Sequence, residues 1–358
     1  MCDDLRHDNQ DHQDQTFKIC LIGCGDMAHN GHGPALARFA LQNRQVELAG
    51  CCDINPERAA AFASSFGFHR FYTDWREMLQ QEKPAGVSLV VPVERTAAMA
   101  QEILAMGIPL LLEKPPGLND AEAKTLIKAA QASGTPNRVA FNRRYMQLVQ
   151  SFIKQIDPAQ PILEVHCDFQ RFRRYDLDFA TTAIHGIDLV SYLAGSYKTI
   201  KYTYLPLPEL GDQVAHYHLQ AELAGGALAS LFFRPAAGVI FERYQVIQAG
   251  RTGLLHLPVW NNPDSPGLAV WYDQGVKTWE EKGTDDPFDV INGFFAESVE
   301  FYTQIMKMNQ IVPVGPDGRR TYNACRPMWP AGDLETSCDA VRVAEALRQR
   351  INFLEFQD

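Results

Sequence analysis

From residue 17 to about 140, short apolar runs alternate with amphipathic stretches. KICLIG, VELAGCCD, AGVSLVVP, IPLLLEKP and RVAFNRRY read as strands. They are short, β-rich and nearly continuous in apolar character. Between them Pro34 to Asn43, PERAAAFASSFG, WREMLQQ, ERTAAMAQEILAMG and NDAEAKTLIKAAQASG read as helices. Pro34 and Pro56 suit first helical turns. Asn119 suits a cap, and Gly67, Gly107 and Gly134 suit stops. Strands buried along their whole length, each followed by a helix, predict a parallel sheet covered on both faces.

Beyond about residue 140 the period changes. ILEVHCDFQRFRRY, KTIKYTYLPLP, AHYHLQAEL, GALASLFFRP and RYQVIQAG are longer and alternate. One clear helix, TTAIHGIDLVSYLAG, lies among them. FDVINGFFAESVEFYTQIMKM and LETSCDAVRVAEALRQRIN each predict a long helix near the end. Strands that follow one another without helices predict an antiparallel or mixed sheet. The expected organisation is a tail over 1–16, an α/β domain over 17–138, and an α+β domain over 139–358. The C-terminal helix is expected to pack back on the first domain.

Composition narrows the function. The 358 residues suffice for two domains, and a net charge of -10 argues against nucleic acid or an anionic membrane surface as partner. No apolar run reaches bilayer length. The N-terminus, MCDDLRHDNQDHQDQT, is polar and unlike a secretory signal. The eight cysteines form no CxxC and no regular framework, which points to reduced thiols in a cytoplasmic protein.

The chemistry begins at LIGCGDMA. Gly23 permits a tight turn, Gly25 lets a pyrophosphate approach the backbone, and Ala28 lets the helix pack on the strand. Asp26 and Met27 lie within the same turn, where free amides favour phosphate. Asp53 ends the second strand, where a carboxylate accepts hydrogen bonds from ribose hydroxyls and repels a 2′-phosphate. That favours NAD over NADP, although Asp53 also suits a turn before Asn55 and Pro56, and Arg58 can answer a 2′-phosphate. His29 and His32 supply no full ligand set, so no metal is expected. HNGHG reads as a loop and the start of the next helix.

A second motif, LLLEKPPGLNDAEA, closes a strand with Glu113-Lys114-Pro115. Together with GCGDMA, Asp53, AFNRRY and the H-x-x-D-L of His185 to Leu189, it resembles the Gfo/Idh/MocA oxidoreductases over nearly the whole chain. The resemblance implies a Rossmann domain followed by a large, mostly antiparallel open sheet carrying the substrate site and an oligomer interface. A homodimer or homotetramer is the implied assembly. It also implies a cis Lys114–Pro115 bond, and a cofactor site that includes Pro92, Glu113 and Lys114. Family members commonly carry Asp four residues before the histidine. Here that position is Thr181, so the catalytic set Lys114, Thr181 and His185 lacks a negative charge. Asp176 and Asp178 are near enough in sequence to substitute, and Asp188 to orient His185. Thr96 stands where many relatives have histidine.

Lys114 at a strand end can hold a substrate oxygen. An imidazole at His185 can take a hydroxyl proton at neutral pH. Arg143, Tyr145, Arg174 and Thr182 join His185 as candidate substrate contacts, and arginine forks suit carboxylate or phosphate. Trp260, Trp271, Tyr272 and Trp279 suit either a sugar ring or a core. The expected function is an NAD(P)-dependent oxidoreductase acting on a secondary alcohol of a sugar, cyclitol or derivative. The alternative is a catalytically weak NAD(P)-binding regulator of the same fold, which the missing Asp keeps open.

Overall fold

The computed structural model describes residues 16–176, 178–311, 320, 322 and 332–356. Nearly all of the expected tail lies outside them. The first sheet contains β1 (Phe17–Ile22), β2 (Val46–Cys52), β3 (Arg70–Tyr72), β4 (Gly86–Leu89), β5 (Leu110–Glu113) and β6 (Asn137–Ala140), all parallel, in the order β3-β2-β1-β4-β5-β6. Helices α1 (Gly33–Gln42), α2 (Pro56–Phe66), α3 (Trp75–Glu82), α4 (Val93–Ala105) and α5 (Asp120–Ser133) connect them. Asn55, Asp74 and Asn119 cap α2, α3 and α5 with side-chain oxygens on backbone amides. This is the doubly wound arrangement, whose ligands lie beyond the carboxyl ends of the strands where the order reverses.

The next segment departs from the pattern. Only Asn137–Ala140 is strand, and Asn142–Tyr145 turns as a 3-10 helix before α6 (Gln147–Ile153). The second sheet then forms from β7 (Glu164–Gln170), β8 (Tyr197–Pro206), β9 (Ala215–Leu223), β10 (Leu228–Arg234), β11 (Phe241–Gln248), β12 (Arg251–Leu257), β13 (Leu268–Asp273), β14 (Val276–Lys282) and β15 (Phe353–Glu355). Its nine strands run β14-β13-β12-β11-β7-β10-β9-β8-β15, antiparallel except where β7 meets β10. The apolar phase of these strands faces α7 (Ala180–Ala194), and α10 (Leu334–Arg348) packs on both α7 and α5. α7 approaches β7 and β10 closely at Gly186, where an added Cβ would lie 2.8 Å from the Phe233 ring.

The expected single helix over FDVINGFFAESVEFYTQIMKM is broken. Asn292 and Gly293 (φ +83°) separate α8 (Phe288–Ile291) from α9 (Phe294–Ile311). α9 then packs against the first sheet, not the second. Phe301, Tyr302, Ile305 and Met308 share one core with Phe17, Leu21, Phe39 and Leu48. The Tyr302 hydroxyl lies 2.7 Å from Ser88 Oγ on β4.

Candidate active site

The glycine turn forms as its residue types require. Gly23 has φ +94°, and an added Cβ would lie 2.0 Å from the Val90 carbonyl oxygen. Over Gly25 nothing lies within 4 Å of an added Cβ, so the backbone is open to a ligand. The helix starts at once, not after a loop. The His29 amide donates to the Gly25 carbonyl at 2.9 Å, and Ala28–His32 forms a π turn leading into α1.

Asp53 ties the turn to β2. Its Oδ2 accepts from the Cys24 amide at 2.9 Å and its Oδ1 from the Asn55 amide at 2.9 Å, while Arg58 Nη1 lies 3.6 Å away. These two bonds leave carboxylate lone pairs free. Pro92, exposed, leads into α4, and the buried Thr96 donates back to its carbonyl at 3.3 Å.

The two histidines of HNGHG separate. His29 is exposed and meets the Phe66 ring edge-on at 5.1 Å. His32 is buried, its Nε2 lying 2.8 Å from Glu113 Oε1. Glu113 Oε2 in turn accepts from the Lys114 amide at 3.1 Å. Burial alone would raise the Glu113 carboxyl, but the His32 bond and the charge and amide of Lys114 hold it below the usual range. The glycine-turn helix and the Glu-Lys-Pro motif are thus hydrogen-bonded to each other, and the Lys114–Pro115 peptide is cis. Among the described residues no group of three or more histidine, cysteine or acidic side chains is placed to hold a metal.

Lys114 Nζ donates to the Thr181 carbonyl at 3.1 Å, in the first turn of α7. Burial pushes its ammonium down to about 8; Glu113 opposes this, and Arg143, Arg174 and Arg171 add to it. One helical turn on, the His185 ring is buried with its Nε2 3.4 Å from Arg143 Nη1. A guanidinium can only donate, so Nε2 accepts and the ring hydrogen sits on Nδ1. Burial and then Arg143, Lys114 and Arg171 push the imidazole well below its ordinary value, and among the described residues no carboxylate opposes them.

None of the acids considered from sequence reaches His185 as a partner. Asp188 pairs with Arg144 through two bonds of 2.9 and 2.5 Å. Asp176 pairs with Arg174 at 2.6 Å, and Asp178 with Arg348 at 2.7 Å. Thr181 Oγ1 donates to the Asp178 carbonyl at 2.8 Å, so its side chain serves the helix start. Thr182 Oγ1 accepts from Arg174 Nη2 at 3.3 Å. Tyr145 turns toward Arg138, whose guanidinium lies 4.9 Å from its ring centroid. Trp271 is fully buried against Phe152, a core residue, while Trp260 is half-exposed beside Phe288.

Sequence reasoning missed Glu242. This β11 residue is fully buried and receives Arg143 Nη2 at 2.8 Å, Arg143 Nε at 3.2 Å and Arg171 Nη2. Burial would raise it, but the two guanidinia hold it down at about 2. Its alternating strand context carries no local signal; the β7–β11 register, which sets Glu242 opposite Phe169, brings it beside Arg171.

The glycine turn, the strand-end lysine and the second sheet define a two-domain fold whose first domain is Rossmann-like. Residues 17–141 match the family model of the Gfo/Idh/MocA group, described as an oxidoreductase family with an NAD-binding Rossmann fold. Over this segment, about a third of the chain, the sequence is similar to that family. It is 28% identical over 137 residues to D-apiose dehydrogenase of Paraburkholderia graminis, covering 38% of this chain and 35% of that protein. It is 26% identical over 211 residues to levoglucosan dehydrogenase of Pseudarthrobacter phenanthrenivorans, covering 52% of this chain and 53% of that protein. The chain thus spans about a third to a half of the length of these curated relatives. A Gfo/Idh/MocA family oxidoreductase from Vibrio cholerae superposes with TM-score 0.72 at 21% identity, over 93% of this chain and 97% of that one, which extends the fold match to both domains. No helix among the described residues is long and apolar enough to cross a membrane.

Proposed function

We propose that the protein is an NAD-dependent dehydrogenase acting on a secondary alcohol of a sugar or related polyol, with Lys114 as the proton-transfer group. The observation that carries this is the Lys114 amine. It directly follows β5, donates to the Thr181 carbonyl in the first turn of α7, and is pushed down to about 8. A general acid–base group works best with its pKa near the operating pH.

The residues present fit a dinucleotide. The space over Gly25 admits a pyrophosphate, with Gly23, Asp26, Met27 and Ala28 holding it and the Asp53 lone pairs available to ribose hydroxyls. Asp53 supports NAD over NADP. Pro92, Glu113 and Lys114 would border the nicotinamide end. When bound, the dinucleotide supplies the hydride acceptor. The neutral Lys114 amine accepts the hydroxyl proton, and the ammonium returns it in the reverse direction. His185 stays uncharged among its cationic neighbours and orients the substrate oxygen instead of taking its proton.

The second reading, a cofactor-binding regulator without fast turnover, is favoured by one observation: Thr181 gives His185 no negative charge. Calorimetry with NAD and with NADP, followed by a sugar and cyclitol panel read at the reduced-nicotinamide absorbance, separates the two. NAD binding with turnover supports the dehydrogenase. NAD binding with silence across the panel supports the regulator, and binding of neither nucleotide overturns both.

A further inference from the structure

While Lys114 is an ammonium, below about pH 8, the charges around it do not balance. Arg143 and Arg171 share a single carboxylate, Glu242, and all three side chains are buried. Guanidinium groups keep their protons, so this cluster holds one net positive charge. Glu113 is engaged by His32 and the Lys114 amide, and offsets at most Lys114 itself. Arg174 and Asp176 cancel at the rim, and His185 is uncharged. Asp188 lies nearby but is spent on Arg144. A buried charge without a partner is costly, and a ligand that supplies the missing negative charge recovers that cost.

Resting on the dehydrogenase reading, we propose that the substrate is itself an anion: a polyhydroxy acid whose alcohol oxygen meets Lys114 and whose carboxylate meets Arg174 and Thr182. Arg174 is suited to this. Its guanidinium is half-exposed, and its Nη2 reaches Thr182 Oγ1 in the same first turn of α7 that Lys114 contacts. Its pair with Asp176 is solvent-exposed on both sides, so exchanging it for a substrate carboxylate costs little. The α7 N-terminus adds its positive end. A carboxylate brings the one charge that is missing, whereas a phosphate monoester brings close to two.

The test is calorimetry on NAD-loaded protein. D-gluconate and D-glucuronate are compared with D-glucitol and D-glucose, with D-glucose 6-phosphate as the phosphate arm. The acids are expected to bind at least about tenfold more tightly than their uncharged counterparts. Arg174→Gln is expected to remove most of that preference, and Asp176→Asn, which frees Arg174, to increase it. An unfolding midpoint equal to the parent's shows that each variant is folded. Equal or tighter binding of the uncharged sugars overturns the proposal, as does tighter binding of the phosphate or an undiminished preference in Arg174→Gln. Failure of every acid to bind while NAD binds also overturns it. Failure of NAD itself to bind overturns instead the dehydrogenase reading beneath it.

Discussion

Arg143 and Arg144 leave the same 3-10 turn and enter different electrostatic surroundings. Arg144 meets Asp188 in a bidentate pair and lies near two rings, 5.4 Å from Phe141 and 5.1 Å from Tyr192. That cluster is closed: one cation, one anion and aromatic faces. Arg143 shares Glu242 with Arg171, and its remaining nitrogen faces Asn142 and His185. That cluster is open, with more cations than carboxylates. The closed cluster joins the 3-10 turn to α7. The open one sets the potential at Lys114 and His185. Two adjacent residues of one type thus differ in whether their charge is matched.

The contrast breaks most sharply at Lys114. Lys114→Met is expected to lower kcat/KM for alcohol oxidation about 10²–10⁴-fold, while calorimetry still reports NAD binding. Its stability moves the other way. The folded lysine titrates at about 8, below its unfolded value of about 10.4, so the folded state bears a cost wherever the lysine is protonated. Lys114→Met is therefore expected to raise the unfolding midpoint near pH 7, and the gain is expected to fade by about pH 10. A midpoint that falls at neutral pH would show that the lysine is comfortably paired.

Arg144→Ala strands a buried Asp188 and is expected to cost about 3–5 kcal/mol in urea unfolding. Arg143→Ala leaves Glu242 with Arg171 and is expected to cost less, about 1.5–3 kcal/mol. Equal losses would erase the distinction between closed and open clusters.

The pH profile offers a finer measurement. In the proposed mechanism oxidation needs the neutral amine, so kcat/KM is expected to rise with pH and level off above about 8, the Lys114 value. Removing a nearby cation lets the ammonium persist, so Arg143→Ala is expected to move that midpoint upward. An unmoved or lowered midpoint would assign the titration to another group. The smallest effect expected is from Thr181→Asp. A carboxylate there stabilises both Lys114 ammonium and His185 imidazolium, and the midpoint is expected to rise with only a modest change in the plateau.

Features defined within a few residues were legible in the sequence. The glycine turn and the strand-end positions of Asp53 and Lys114 follow from local period and residue type. What escaped depends on register and on distant segments. Glu242 looks like any polar residue in an alternating strand until β11 pairs with β7. β12, β13 and β14 went unassigned: Gly253 interrupts the apolar pattern of β12, Gly267 and Gly275 stand immediately before β13 and β14, and β14 is mostly charged and polar. His32 read as a loop residue because a π turn leaves no periodic trace, and its partner Glu113 lies 81 positions away.

The position of α9 has a consequence for synthesis. The apolar face of the first sheet around Phe17, Leu21 and Phe39 receives part of its cover from Phe301, Tyr302 and Ile305. All six strands of that sheet leave the ribosome well before α9 does. At about 5–20 residues per second the wait is on the order of ten seconds. For that interval the nascent chain presents an apolar surface to solvent, and the first domain completes its core only once α9 has been made.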